Sequence, residues 1–171
     1  MKRLLLFLLL LSGTAAAQDF PEAFVGHWKG TLHWYSAGKK EPRTVTMQLL
    51  IGRTDTAGQY TWRIVYGDSL RDDRPYVLRP ADSAKGHWLI DERNGILLDQ
   101  YWVGGRLTSA FSVQSSTIHN AYWLEGGRLI AEFHATGVAP VRTSGHGTEA
   151  SPEVKSFPTK SYQRAVLERM R

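Results

Sequence analysis

The sequence predicts an all-β protein, an up-and-down antiparallel barrel of about nine or ten strands. Three observations carry this. Apolar and polar residues alternate with period two in one segment after another, turns containing Gly or Pro separate the segments at short intervals, and no convincing helical pattern lies between them. A meander of that length leaves two unpaired edges unless it closes, and closure removes both.

The chain begins with a charged Lys2-Arg3 pair, an apolar run from Leu4 to Leu11, and Ser12-Gly13-Thr14-Ala15-Ala16-Ala17 before Gln18. This is the layout of a secretory signal peptide with cleavage after Ala17. The run is too short for a membrane span, which needs about 20 apolar residues. No cysteine follows it to carry a lipid anchor, so residues 1–17 read as a leader and the product as an exported protein, periplasmic or extracellular. Residues 18–171 then form a single domain, large enough to bury a core without covalent support. The sequence has no cysteine at all, which argues against a small disulfide-stapled module.

Phe24 to Tyr35 is the first strand, with Gly26, Trp28, Gly30, Leu32 and Trp34 on one face and His27, Lys29, Thr31, His33 and Tyr35 on the other. After the polar turn Ser36–Pro42, the segment Arg43 to Thr54 alternates through Val45, Met47, Leu49 and Ile51. Gln59 to Tyr66 is the third strand and puts Tyr60, Trp62, Ile64 and Tyr66 on one face. Gly67 to Pro75 reads as a charged loop, and Tyr76 to Arg79 as a short strand stopped by Pro80, which cannot donate to a ladder. Gly86 to Arg93 and Ile96 to Val103 form a hairpin about Asn94-Gly95, the dipeptide suited to a type I′ turn. Arg106–Gln114, Thr117–Leu124 and Arg128–Thr136 follow, separated by short reversals that include Gly104-Gly105 and Gly126-Gly127. Gly137 to Thr159 is a long connection with room for one edge strand near Val154–Phe157. The tail from Lys160 fits a helix through Tyr162 and Val166 or a strand through Tyr162, Arg164 and Val166; a closing strand through Leu167 is the expected form.

The formal charge is +5, which becomes +5 − 2 = +3 without Lys2 and Arg3. The basic residues are scattered among acids, where a nucleic-acid binder concentrates them on one face, so nucleic acid is not an expected partner.

Gly26-x-Trp28 at the start of a meandering barrel resembles the signature of the calycin superfamily, which includes lipocalins, fatty-acid-binding proteins, avidins and nitrobindin-like barrels. The resemblance implies that Trp28 closes the narrow end of the barrel beside Gly26. It also implies that a basic residue of the last strand, here Arg164, packs across Trp28. Three departures matter. The segment 36–42 is too short for the helical lid of a fatty-acid-binding protein, the large first loop of lipocalins is not evident, and the polar biotin contacts of avidins are not matched beyond Gly30. What remains is similar to the generic lipocalin-like proteins of bacterial envelopes.

The candidate ligand-binding residues are the inward rings Trp34, Tyr60, Trp62, Tyr66, Trp88, Trp102, Phe111, Tyr122 and Phe133. Large rings with polar tips suit a small hydrophobic or amphipathic ligand, and the same rings could instead fill a solid interior. A filled interior would point to an envelope interaction or inhibitor module that works through its outer surface.

No cofactor is expected, although a haem- or nitric-oxide-handling barrel with His134 as the iron ligand is the alternative to test. No metal site is expected, since no histidine pair has His-x-His or His-x-x-x-His spacing. Asp72-Asp73 and Asp91-Glu92 read as solvated turn residues, because adjacent strand residues point to opposite faces and cannot flank one bond. No catalytic signature is present and no catalytic residue is assigned.

Overall fold

The computed structural model describes residues 20–67 and 72–171, so the leader assigned to residues 1–17 lies outside the described residues. No α-helix occurs among them, and none of their helices is long and apolar enough to cross a membrane. The strands are β1 (Gly26–Ser36), β2 (Arg43–Arg53), β3 (Tyr60–Tyr66), β4 (Asp72–Asp82), β5 (His87–Asp91), β6 (Leu97–Val103), β7 (Arg106–Val113), β8 (Ser116–Glu125), β9 (Arg128–Gly137), β10 (Arg142–Ser144), β11 (Val154–Ser156) and β12 (Thr159–Arg169).

Ten strands close an antiparallel barrel. β1 to β9 are neighbours in chain order, and β12 lies between β9 and β1 to complete the ring. β10 and β11 form a separate small hairpin in the connection from β9 to β12. The tail is therefore a strand, and it runs two residues past Leu167. Period-two alternation sets the inside: Trp28, Leu32, Met47, Leu49, Ile51, Trp62, Leu78, Leu107, Leu129 and Leu167 all join one buried cluster.

Two local expectations differ from the structure. The fourth strand is not confined to Tyr76–Arg79 but spans Asp72–Asp82, passing through both prolines. Pro75 precedes the first β4–β5 pair, Val77–Asp91, so one side of it has no partner strand, and Pro80 sits where the register shifts before Asp82. At Asn94-Gly95, the residues with positive φ are Arg93 (64°) and Gly95 (97°), so no two-residue type I′ turn forms there. The Asn94 side chain instead accepts a 3.0 Å hydrogen bond from the Ile96 amide within a wider loop. The I′-like conformation occurs at Gly104-Gly105 and Gly126-Gly127, where both residues have positive φ and the flanking pairs are Val103–Arg106 and Glu125–Arg128.

One end of the barrel is closed by the chain that leads into it. Residues 20–25 fold under the barrel through the short 3₁₀ turn Glu22–Phe24. Phe24 is fully buried, its carbonyl accepts a 2.8 Å hydrogen bond from the Trp28 indole, and Phe20 stacks on Trp102 at 4.6 Å. Arg169 covers the Trp28 ring with its guanidinium carbon 4.4 Å from the centroid, and it donates to the Ala23 carbonyl at 3.0 Å.

This corrects the role expected of Arg164. Arg164 is paired with His33 on the outward face of β1–β12 and forms an ion pair with Glu132 at 3.2 Å. Its parity is opposite to that of the inward residues Gln163 and Ala165, so it cannot reach Trp28. Arg169, at the end of the same strand and level with Trp28 in the register, does what Arg164 was expected to do.

Candidate functional site

Above the floor set by Trp28 and Trp62, the barrel is not full. A cavity of about 370 Å³ occupies the half toward the ends of β1, β3, β5, β7 and β9. Ten strands make a wider lumen than eight, and side chains alone do not fill it where residues such as Val45, Ile118 and Ala135 face in. The lower half is packed and the upper half is open, so the two interiors foreseen as alternatives coexist at different depths.

Six of the nine candidate rings line this cavity: Trp34, Trp62, Tyr66, Phe111, Tyr122 and Phe133. Trp62 and Tyr122 meet edge to face at 5.2 Å, and Tyr122 and Phe133 do so at 5.8 Å. Trp34 stands nearest the mouth, more than a third exposed, with the Arg43 guanidinium 5.8 Å from its ring.

The other three rings point inward but belong to the closed end. Trp88 and Trp102 pack against Phe20, with centroids 5.2 Å and 4.6 Å away. Tyr60 gives its hydroxyl to Glu22 at 2.5 Å. Their parity is as expected and their depth is not: Trp88 opposes Pro80, and Trp102 opposes Leu107 beside the tight Gly104-Gly105 turn.

Polar residues in the lining were not foreseen as site residues. Asp72, Arg74, Tyr76 and Glu92 surround the mouth, and Gln100, Asn120 and Gln163 lie among the rings. Asp72 and Glu92 were expected to be solvated turn residues. The extension of β4 back to Asp72 turns the first of these and Arg74 toward the lumen, since both share the parity of Tyr76 and Leu78. Alternation counted back from Tyr76 through Pro75 reveals them, but the charge density of Gly67–Pro75 reads as a loop. Asp73 has the opposite parity and is held outside by Arg63 at 2.6 Å.

At the mouth, Arg74 donates to Asp72 at 2.8 Å and 3.2 Å, and its guanidinium carbon lies 4.8 Å from the centre of Tyr66. Burial works against the Arg74 charge and the bonded Asp72 carboxylate favours it, with the balance on the side of the charged form. Burial pushes the Tyr66 phenol up to about 12 and raises that of Tyr122 as well. Tyr76 is also raised, first by burial and then by the neighbouring Glu92 carboxylate. All three phenols are neutral at physiological pH and belong to the cavity lining.

The histidines fall elsewhere. His27 bonds Gln48 at 2.9 Å on the outer face, and His134 packs on Tyr162 at 4.7 Å, also outside. No histidine lines the cavity, and no cluster of three metal-ligating side chains occurs among the described residues.

Beneath the floor, the Arg53 hydrogen bonds, followed by that from Tyr60, hold the Glu22 carboxyl below its ordinary value of 4.5. Its contribution to stability is complete above that ordinary value and is lost as pH falls through the lower, folded value. Arg63 lowers Asp73 in the same way. Thermal melting followed from about pH 6 to about pH 3 should therefore show a progressive loss of stability that Glu22→Gln makes shallower. An unchanged slope in that variant would mean that the Glu22 anchor does not report folding.

Comparison with protein-family models and with curated proteins found no match to this chain.

Proposed function

We propose that this protein is an exported, non-enzymatic barrel that binds one small, mainly apolar or amphipathic molecule in its upper half. The observation that carries this is the cavity of about 370 Å³, walled by Trp34, Trp62, Phe111, Tyr122 and Phe133 and supported by a solid aromatic floor. That size and lining are those of sites that enclose a small ligand, with rings for area and a few polar groups for orientation. Export is inferred from the leader-like residues 1–17. Arg74 is already engaged by Asp72, which leaves the mouth poorly suited to the carboxylate head of a simple fatty acid.

A haem-handling barrel gains no support from His134, which packs against Tyr162 on the outside. A filled interaction module gains none from a lumen with this much room.

The test has two parts. Native mass spectrometry of the mature protein should find a retained small molecule, or tryptophan emission should shift across a panel of lipids and aromatic compounds. Ala135→Phe, which places a ring in the lumen, should weaken binding by at least about tenfold while melting behaviour stays near wild type. No retained molecule together with no emission response would overturn the reading, as would binding undiminished in Ala135→Phe.

A further inference from the structure

Three polar side chains sit in a row on one wall of the barrel. Asn120 on β8 is paired with Ser109 on β7, and extending the β6–β7 register by one residue from Tyr101–Thr108 sets Gln100 opposite Ser109. All three face inward: Gln100 and Asn120 line the cavity, and Ser109 is buried between them. Gln100 is 1% exposed and Ser109 is 7% exposed. Gln100 Oε1, Ser109 Oγ and Asn120 Oδ1 have no hydrogen-bond partner among the described residues.

Buried polar atoms are normally satisfied, and leaving one unpaired costs stability. Packing alone gives no reason for them, because β9 and β12 put Ala131 and Ala165 at neighbouring inward positions, both fully buried. Three such atoms on adjacent strands, two of them on a cavity wall, point to a partner that enters the cavity.

We propose that the ligand is a planar ring system with a cyclic-amide edge, an N–H beside a C=O, and that Gln100, Ser109 and Asn120 read that edge. This rests on the reading of the cavity as a small-molecule site. A carboxamide side chain presents its own C=O and N–H side by side, so it pairs with such an edge at two points, as Asn and Gln do with the edges of nucleobases. The Ser109 hydroxyl both donates and accepts. The rings beside the row supply the flat faces: Phe133 opposes Asn120, while Phe111 and Tyr122 each lie two residues along a strand from a member of the row. A purely aliphatic ligand would leave all three polar groups unpaired and shut off from water.

Three probes separate the possibilities: lumazine, its N,N′-dimethyl derivative, which keeps the shape and carbonyls but has no N–H, and naphthalene. Each is titrated into the mature protein with tryptophan emission as the readout. Wild type should bind lumazine at least about tenfold more tightly than the dimethyl compound. Gln100→Leu and Asn120→Leu should each remove that preference without weakening naphthalene binding, and Ser109→Ala gives the same comparison should a leucine variant fail to fold. Naphthalene binding without a preference for lumazine, or a preference that survives the substitutions, overturns the edge reading and leaves the cavity reading intact. A protein that binds none of the three overturns both.

Discussion

Trp28→Ala is expected to destabilise the fold by about 3–5 kcal/mol, the range for truncating a buried aromatic side chain. Trp28 is 1% exposed, gives its indole N–H to the Phe24 carbonyl and carries the Arg169 guanidinium on its face. Removing the ring leaves a void at the closed end and removes the donor that fixes residues 20–25 beneath it. Relaxation is limited, because Trp62, Trp88 and Trp102 are already held by Phe20 and Phe24. Thermal or chemical denaturation measures the effect, and a loss well below 3 kcal/mol would remove Trp28 from its structural role. A paired comparison sharpens the test. Arg169→Ala should lower stability by about 1 kcal/mol or more, through the lost ring contact and the hydrogen bond to Ala23. Arg164→Ala, which breaks a partly exposed ion pair on the outer wall, should stay within about 1 kcal/mol of wild type.

Gly30→Ala is expected to cost about 3 kcal/mol, more than most single-methyl additions, because the added carbon meets backbone. A Cβ at Gly30 would stand 2.1 Å from the Val166 carbonyl oxygen, whereas an ordinary carbon–oxygen contact is roughly 3.3 Å or longer. No side-chain rotation relieves this, so β1 and β12 must move apart where the last strand meets the first. The pairs Gly30–Leu167 and Thr31–Val166 belong to the seam that closes the barrel. A lower melting temperature with faster amide exchange along β1 and β12 would locate the damage. A variant as stable as wild type would show that the seam has slack.

Gly30 and Trp28 both lie on β1, two residues apart, yet they act differently there. Trp28 fills the closed end, and Gly30 lets the closing strand come near. Sequence alternation placed both on the inward face. Their separate duties depend on β12, which arrives more than a hundred residues later in the chain.

The same division runs through the candidate site. The parity of every candidate ring was legible, because a strand's side chains alternate from one residue to the next and the pattern is local. Parity also exposed the error at Arg164: an even-numbered residue of β12 points outward, as Tyr162 and Val166 do. The mouth escaped the sequence reading because Gly67–Pro75 looks like a charged loop, although a proline whose one side has no neighbouring strand is tolerated in β4. With β4 cut short, Asp72 and Arg74 fell into a loop and the polar part of the site disappeared. Gln100 and Asn120 share the inward parity of Trp102 and Tyr122, two residues further along their strands, but a glutamine and an asparagine tens of residues apart look unrelated until β6, β7 and β8 lie side by side.

By itself, the sequence determined that the chain is a meander of strands, where most of them turn, and which side chains face the interior. Those properties arise from neighbouring residues, through the period of the strand and the conformational demands of its turns. The tertiary structure decided depth: Trp88, Trp102 and Tyr60 went to the floor, Trp34 and Tyr66 to the mouth, and Gln100, Ser109 and Asn120 to one shared wall. Depth follows from how many strands close the ring and in what register each meets the next, and those are relations between distant segments that no local pattern encodes.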